Sequence, residues 1–218
     1  MGISKIKNSN NEGEKSDKPI PIVVMVPVIK IENSTYIILE YQYRPNIGKW
    51  IFELPAGHVE DSEDLIHAVI REVEEETGLK PKTVWPMFDY GIYITPATNK
   101  KILYYFVAEN FSKGEAHPDA DEDIKVIGVK IEDVLNIIKP NSVVKIEDVP
   151  VVKIEDILNI IKPNSVVKLE DVPVVKLGNA LNIMPNSGMK FDLKTLFGIQ
   201  YYYNFIQNNN IKLTYTYG

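Results

Sequence analysis

Three glutamates constrain this chain more than any other feature: Glu72, Glu75 and Glu76 are spaced so that an α-helix would carry all three on one side. Like charges stacked in this way repel and weaken an isolated helix, so the segment needs a supporting apolar face and a source of positive charge. Leu65, Ala68, Val69 and Val73 supply the apolar stripe. Asp61 or Ser62 can cap the start and Gly78 can end the run, which predicts a helix over 62–77. Hard cations such as Mg²⁺ bind carboxylate oxygens and leave places for water and phosphate. Arg71, beside the cluster, can hold a carboxylate through paired hydrogen bonds. Glu-rich helices are commonly no more than solvated surfaces. The Gly57 turn, Glu63, Arg71 and Gly78 at fixed distances argue for more than that here. His58 and His67 have no partner at a convincing ligand spacing and read as surface or packing residues.

Strand signals surround this helix. Ile22–Ile29 and Tyr36–Tyr43 flank a Glu32–Ser34 turn and read as a hairpin or meander, and Trp50–Leu54 is a third strand closed by Pro55-Ala56-Gly57. Thr83–Ile94 and Lys101–Ala108 are expected strands with a Thr95–Asn99 loop between them. An acidic loop over Glu115–Asp123 leads into another strand at Ile124–Val129. A polar N-terminal stretch, 1–18, reads as a disordered tail, and ordered sequence begins near Pro19. Lys190–Ile206 has helical spacing, and 207–218 reads as a C-terminal tail or short edge strand.

From Lys130 the chain repeats itself. Lys130–Val152 and Lys153–Val175 are identical except at Val134/Ile157 and Ile146/Leu169, and a decayed third copy starts at Lys176. Each copy carries an amphipathic helix, with Ile131, Val134, Leu135 and Ile138 on one face of the first, stopped by Lys-Pro-Asn. The expectation is a helical repeat expansion spanning 130–189, its extra copies extruded on the surface. Deleting Lys153–Val175 should then leave a folded protein.

Composition narrows the partners. A net charge of −6 argues against a nucleic-acid coat or an anionic membrane surface, since both reward clustered Lys and Arg. Cysteine is absent, which excludes disulfides and thiolate metal sites. With no apolar run of membrane-spanning length, the expected location is the cytoplasm.

Gly57 to Leu79 matches the Nudix box at every defined position, and the chain is identified on it as a member of the Nudix hydrolase family. The flanks, Gln42-Tyr43-Arg44, Trp50 to Gly57 and Phe191-Asp192-Leu193-Lys194-Thr195-Leu196, resemble those of ADP-ribose pyrophosphatases. The resemblance implies an α/β/α sandwich with a mixed sheet over 19–206, interrupted by the inserted repeats. It also implies Mg²⁺ (or Mn²⁺) dependence and hydrolysis of ADP-ribose to AMP and ribose 5-phosphate. By position Ala56 would offer a carbonyl to metal and Glu72, Glu75 and Glu76 their carboxylates. Arg44 and Glu53 would contact substrate. Glu122 would help Glu75 and Glu76 in catalysis by accepting a proton from water, with Asp119, Asp121 and Asp123 as alternatives. A homodimer is implied, but the polar tail before Ile20 does not match the strand region that such enzymes exchange between subunits. Alternative readings are a hydrolase of dinucleoside polyphosphates or another nucleotide sugar, and a non-catalytic nucleotide-sensing module.

Overall fold

The computed structural model describes residues 18–120, 122–139, 141–161, 172–181 and 190–207. Both expected tails, apart from Lys18 and Gln207, lie outside these residues.

β1 (Ile20–Ile31) forms the spine of the sheet and is buried on both faces over most of its length. β2 (Ser34–Arg44) folds back on it through a tight turn in which Glu32 adopts positive φ. β3 (Lys49–Glu53) pairs with β2, and β4 (Ala56–His58) pairs with β1. After α1 (Leu65–Thr77) come β5 (Leu79–Pro86), the short β6 (Ile92–Tyr93) and β7 (Lys101–Lys113). β7 runs parallel to β1 while the other pairings are antiparallel, so the sheet is mixed. The strand expected over 83–94 is thus two strands. The ladder ends just past Pro86, with the Met87 N–H donating to the Tyr105 carbonyl (2.8 Å), and the chain then leaves the sheet until Ile92.

α1 begins two or three residues later than the sequence suggests. Asp64 is its cap, accepting from the N–H groups of Ile66 (3.0 Å) and His67 (2.9 Å), whereas Ser62 sits in the preceding turn at positive φ. Gly78 ends the helix in the left-handed conformation, its N–H bonded to the Glu74 carbonyl.

β8 (Ile124–Lys130) lies against β2 and opens the repeat region. α2 (Ile131–Ile138), β9 (Pro150–Lys153), α3 (Ile154–Ile160), β10 (Val174–Lys176) and α4 (Leu177–Leu181) follow. β9 pairs with β8 and β10 with β9, giving the sheet order β10-β9-β8-β2-β1-β7-β5. Each unit adds one strand and one helix, and successive helices fall on opposite faces. Ile157 of α3 packs with Val69 and Val73 of α1, whereas Val134 of α2 and Leu181 of α4 join Ile199 on the other side. α5 (Leu193–Tyr201) and a π-helical turn (Tyr202–Gln207) complete that second layer. The result is the expected α/β/α sandwich. Among the described residues no helix is long and apolar enough to cross a membrane.

Surface extrusion of the repeats is overturned. Val151 and Val152, at the end of the first copy, are fully buried and Ile157 of the second is 1 % exposed, so the first copy widens the sheet and the helix of the second covers it. Adjacent valines point to opposite faces of a strand, and burying both requires cover on both sides. That requirement makes the Pro-Val-Val-Lys segment part of the sheet. Ile157→Ala should therefore lower unfolding free energy by about 2–5 kcal/mol in denaturant titrations. A surface segment would change it by no more than about 0.5 kcal/mol. Deleting Lys153–Val175 is likewise expected to lower the melting temperature.

Candidate active site

The loop after β4 and the buried side of α1 bring the box residues together. Gly57 is needed for proximity and not for backbone conformation: its φ is not positive, yet a Cβ there would lie 1.9 Å from the Glu72 carboxyl group. Arg71 fixes the rest. Its guanidinium donates to both oxygens of Glu63 (3.0 and 2.9 Å), to Glu72 (2.8 Å), to Glu75 (3.0 Å) and to the His58 carbonyl (3.0 Å). The expected paired bonds are those to Glu63, which tie the loop to the helix.

Glu76 lies deeper, at 7 % exposure. Burial pushes its carboxyl well above the usual carboxylate range, and the charges of Glu40, Glu72 and Glu122 push the same way. Burial also raises Glu72, although Arg71 pulls against it. Glu40 on β2, within hydrogen-bonding reach of Glu76, is raised by burial to about 7. Sequence reasoning missed Glu40. The available signal was its place in the row Tyr36, Ile38, Glu40, Gln42, whose first two members face the apolar core.

A second wall carries the cations. Arg44 at the end of β2 pairs with Glu53 on β3, and Lys194 from α5 reaches the same carboxylate. Burial alone would raise Glu53, but these two cations hold it below the usual range. Lys194, another residue the sequence reading missed, comes from a segment that returns past the repeats. The Phe52 N–H donates to the Lys190 carbonyl (2.8 Å), and Asp192 caps α5 by accepting from the Thr195 N–H (2.9 Å). The Thr195 hydroxyl in turn accepts from the Leu54 N–H (2.8 Å), just before the box.

These walls enclose a cavity of about 730 Å³. Ala56, Glu72, Glu75, Glu76, Glu122 and Arg44 all line it. Glu53, expected to touch substrate, is not among the lining residues: it is 3 % exposed and pairs with Arg44 and Lys194. Glu122 is steadied by the Gln42 side-chain amide (3.4 Å) and the Asp119 N–H (3.3 Å). Of its alternatives, Asp119 lines the cavity, Asp123 does not, and Asp121 lies outside the described residues.

Among the described residues no three carboxylate or imidazole groups converge on one point as a ready-made cage, because Arg71 engages Glu72 and Glu75. The donor set nevertheless suits a hard divalent cation. Glu40 Oε1 and Glu76 Oε2 are buried acceptors without a donor, beside a carboxyl group pressed against Gly57.

Comparison with known proteins agrees with this geometry. The model of the NUDIX domain matches residues 21–148. The chain belongs to the Nudix family. Among Nudix relatives, it is 32 % identical over 120 residues to an ADP-ribose pyrophosphatase of Bacillus subtilis, covering 54 % of this chain and 64 % of that protein. It is 33 % identical over 120 residues to the methanol dehydrogenase activator of Bacillus methanolicus, with the same coverage, 54 % and 64 %. Over 76 residues it is 37 % identical to the ADP-sugar pyrophosphatase of Mus musculus, 34 % of this chain and 33 % of that one. The chain thus spans less than two thirds of the length of the two bacterial relatives, 64 % in each case.

Gly57→Ala tests the close approach at the box. Far-UV circular dichroism should be unchanged, since alanine accepts the backbone conformation. Mn²⁺ affinity should fall about tenfold or more as Glu72 is displaced. Unchanged affinity would mean that Glu72 does not need the space over Gly57.

Proposed function

We propose that this Nudix protein is a divalent-metal-dependent pyrophosphohydrolase of nucleoside diphosphate sugars, and that it converts ADP-ribose and water to AMP and ribose 5-phosphate. The observation that carries this reading is the meeting, on one cavity, of the box glutamates, the Ala56 carbonyl, Glu122 and a cationic wall. Relatives named as ADP-ribose and ADP-sugar pyrophosphatases support the substrate class.

Glu72, Glu75 and Glu76, with the Ala56 carbonyl, would hold Mg²⁺ or Mn²⁺. When bound, the metal neutralises the diphosphate and activates water. Arg44, aimed by Glu53, meets the anionic substrate from the opposite wall. Glu122 accepts the proton of the attacking water, whose oxygen forms a bond to phosphorus as the bridging P–O bond breaks. The departing phosphate carries away the bridging oxygen. Arg71 keeps Glu63, Glu72 and Glu75 in register. The homodimer implied by the resemblance belongs to this reading, and the molecular mass in solution would test it.

A turnover panel of ADP-ribose, other nucleoside diphosphate sugars and dinucleoside polyphosphates separates the substrate classes. ADP-ribose should be cleaved fastest with Mg²⁺ or Mn²⁺, and activity should fall to background in chelator. Faster cleavage of dinucleoside polyphosphates would move the assignment to that class, and full activity in chelator would overturn the metal mechanism.

Glu76→Gln probes the glutamates directly. Glutamine is about as good a helix former as glutamate, so the fold should persist while turnover drops by orders of magnitude. A folded Glu76→Gln protein with parental activity would remove Glu76 from the metal site.

A further inference from the structure

Glu40 lies outside the box, on the strand beneath α1, and is 2 % exposed. It belongs to a row on the α1 face of β2. Tyr36 and Ile38, earlier in that row, pack in the apolar layer under the helix, and Gln42, the next residue, steadies Glu122. Glu40 therefore sits where the apolar layer gives way to the chemistry. Its carboxyl group meets that of Glu76, and one oxygen of each, Glu40 Oε1 and Glu76 Oε2, has no donor. The Lys194 ammonium offsets Glu40 only in part, because it and Arg44 are both committed to Glu53.

Two carboxyl groups enclosed together, each with one oxygen that no donor satisfies, oppose folding. An apolar residue following Tyr36 and Ile38 would fill the position at lower cost. Glu76 lines the cavity and Glu40 does not, so any effect of Glu40 on the site passes through Glu76. We propose that Glu40 is a positioning residue of the metal site, holding the Glu76 carboxyl at the cavity wall in the orientation that serves a divalent ion. This rests on the divalent-metal reading given above. The cation is also what offsets the charge of the pair, so the cost of burying Glu40 is recovered only when the site is loaded.

The inference predicts effects of opposite sign, which a merely structural residue would not give. Glu40→Gln keeps the shape of the side chain, removes its charge and supplies an amide donor to Glu76. In chelator this variant should melt at a higher temperature than the parent protein. Its affinity for Mn²⁺, measured by calorimetric titration, should be weaker by about 10- to 100-fold. Glu40→Leu, which fills the volume without a polar group, should shift both quantities the same way and serves if the glutamine variant does not fold. Parental Mn²⁺ affinity in these variants, with a lowered melting temperature in chelator, would make Glu40 a structural residue and overturn its role alone. Failure of the parent protein to bind Mn²⁺ would instead overturn the metal reading, and Glu40's role with it.

Discussion

The structure is organised around negative charge held at close quarters. Glu40, Glu53, Glu72 and Glu76 are buried or half-buried near one end of the sheet, where the low effective dielectric strengthens their repulsion. Two local devices make the arrangement tolerable. Arg71 ties Glu63, Glu72 and Glu75 to a single guanidinium, and Arg44 with Lys194 encloses Glu53. Glu40 and Glu76 lack such a partner, and that imbalance makes the site suited to a hard cation.

The fold holds these groups by crossing the chain over itself. β1 anchors β4, and so the box loop, while β2 contributes Arg44 and Glu40. The last wall comes from α5, whose Thr195 is bonded to Leu54 across the length of the repeats. The repeats must therefore return the chain to β3, where the Lys190 carbonyl meets Phe52. They do so while extending the sheet: each Val-Val step adds a strand, and its helix closes the opposite face from the one before. Duplication of a strand–helix unit lengthens such a sheet at its edge and leaves the catalytic end in place.

What could be read from the sequence follows from which interactions are local. The α1 stripe, its Gly78 stop and the shared side of Glu72, Glu75 and Glu76 depend on helical periodicity, and all three appear in the structure. Glu122 was placed near the cluster by resemblance, and the loop does deliver it to the cavity. Glu40 escaped notice because a single carboxylate in an alternating strand looks like a solvent-facing residue. Only the packing of Tyr36 and Ile38 under α1 shows that its row faces inward. Glu53 was assigned to substrate by resemblance, and its burial against Arg44 and Lys194 is visible only in three dimensions. The repeats were misplaced for a related reason. Their helical face was visible, but strand pairing between copies is non-local, and two adjacent valines mark a sheet only once both faces are known to be covered.

The claim on which all of this turns is that the box carboxylates are the seat of a divalent cation, and the most direct measurement is an anomalous difference map from crystals soaked in Mn²⁺. A peak bonded to Glu72, Glu75 or Glu76 on the cavity side, with at least one Arg71 contact released, is the result expected. Peaks confined to other surfaces, with Arg71 still bonded to both Glu72 and Glu75, would contradict it.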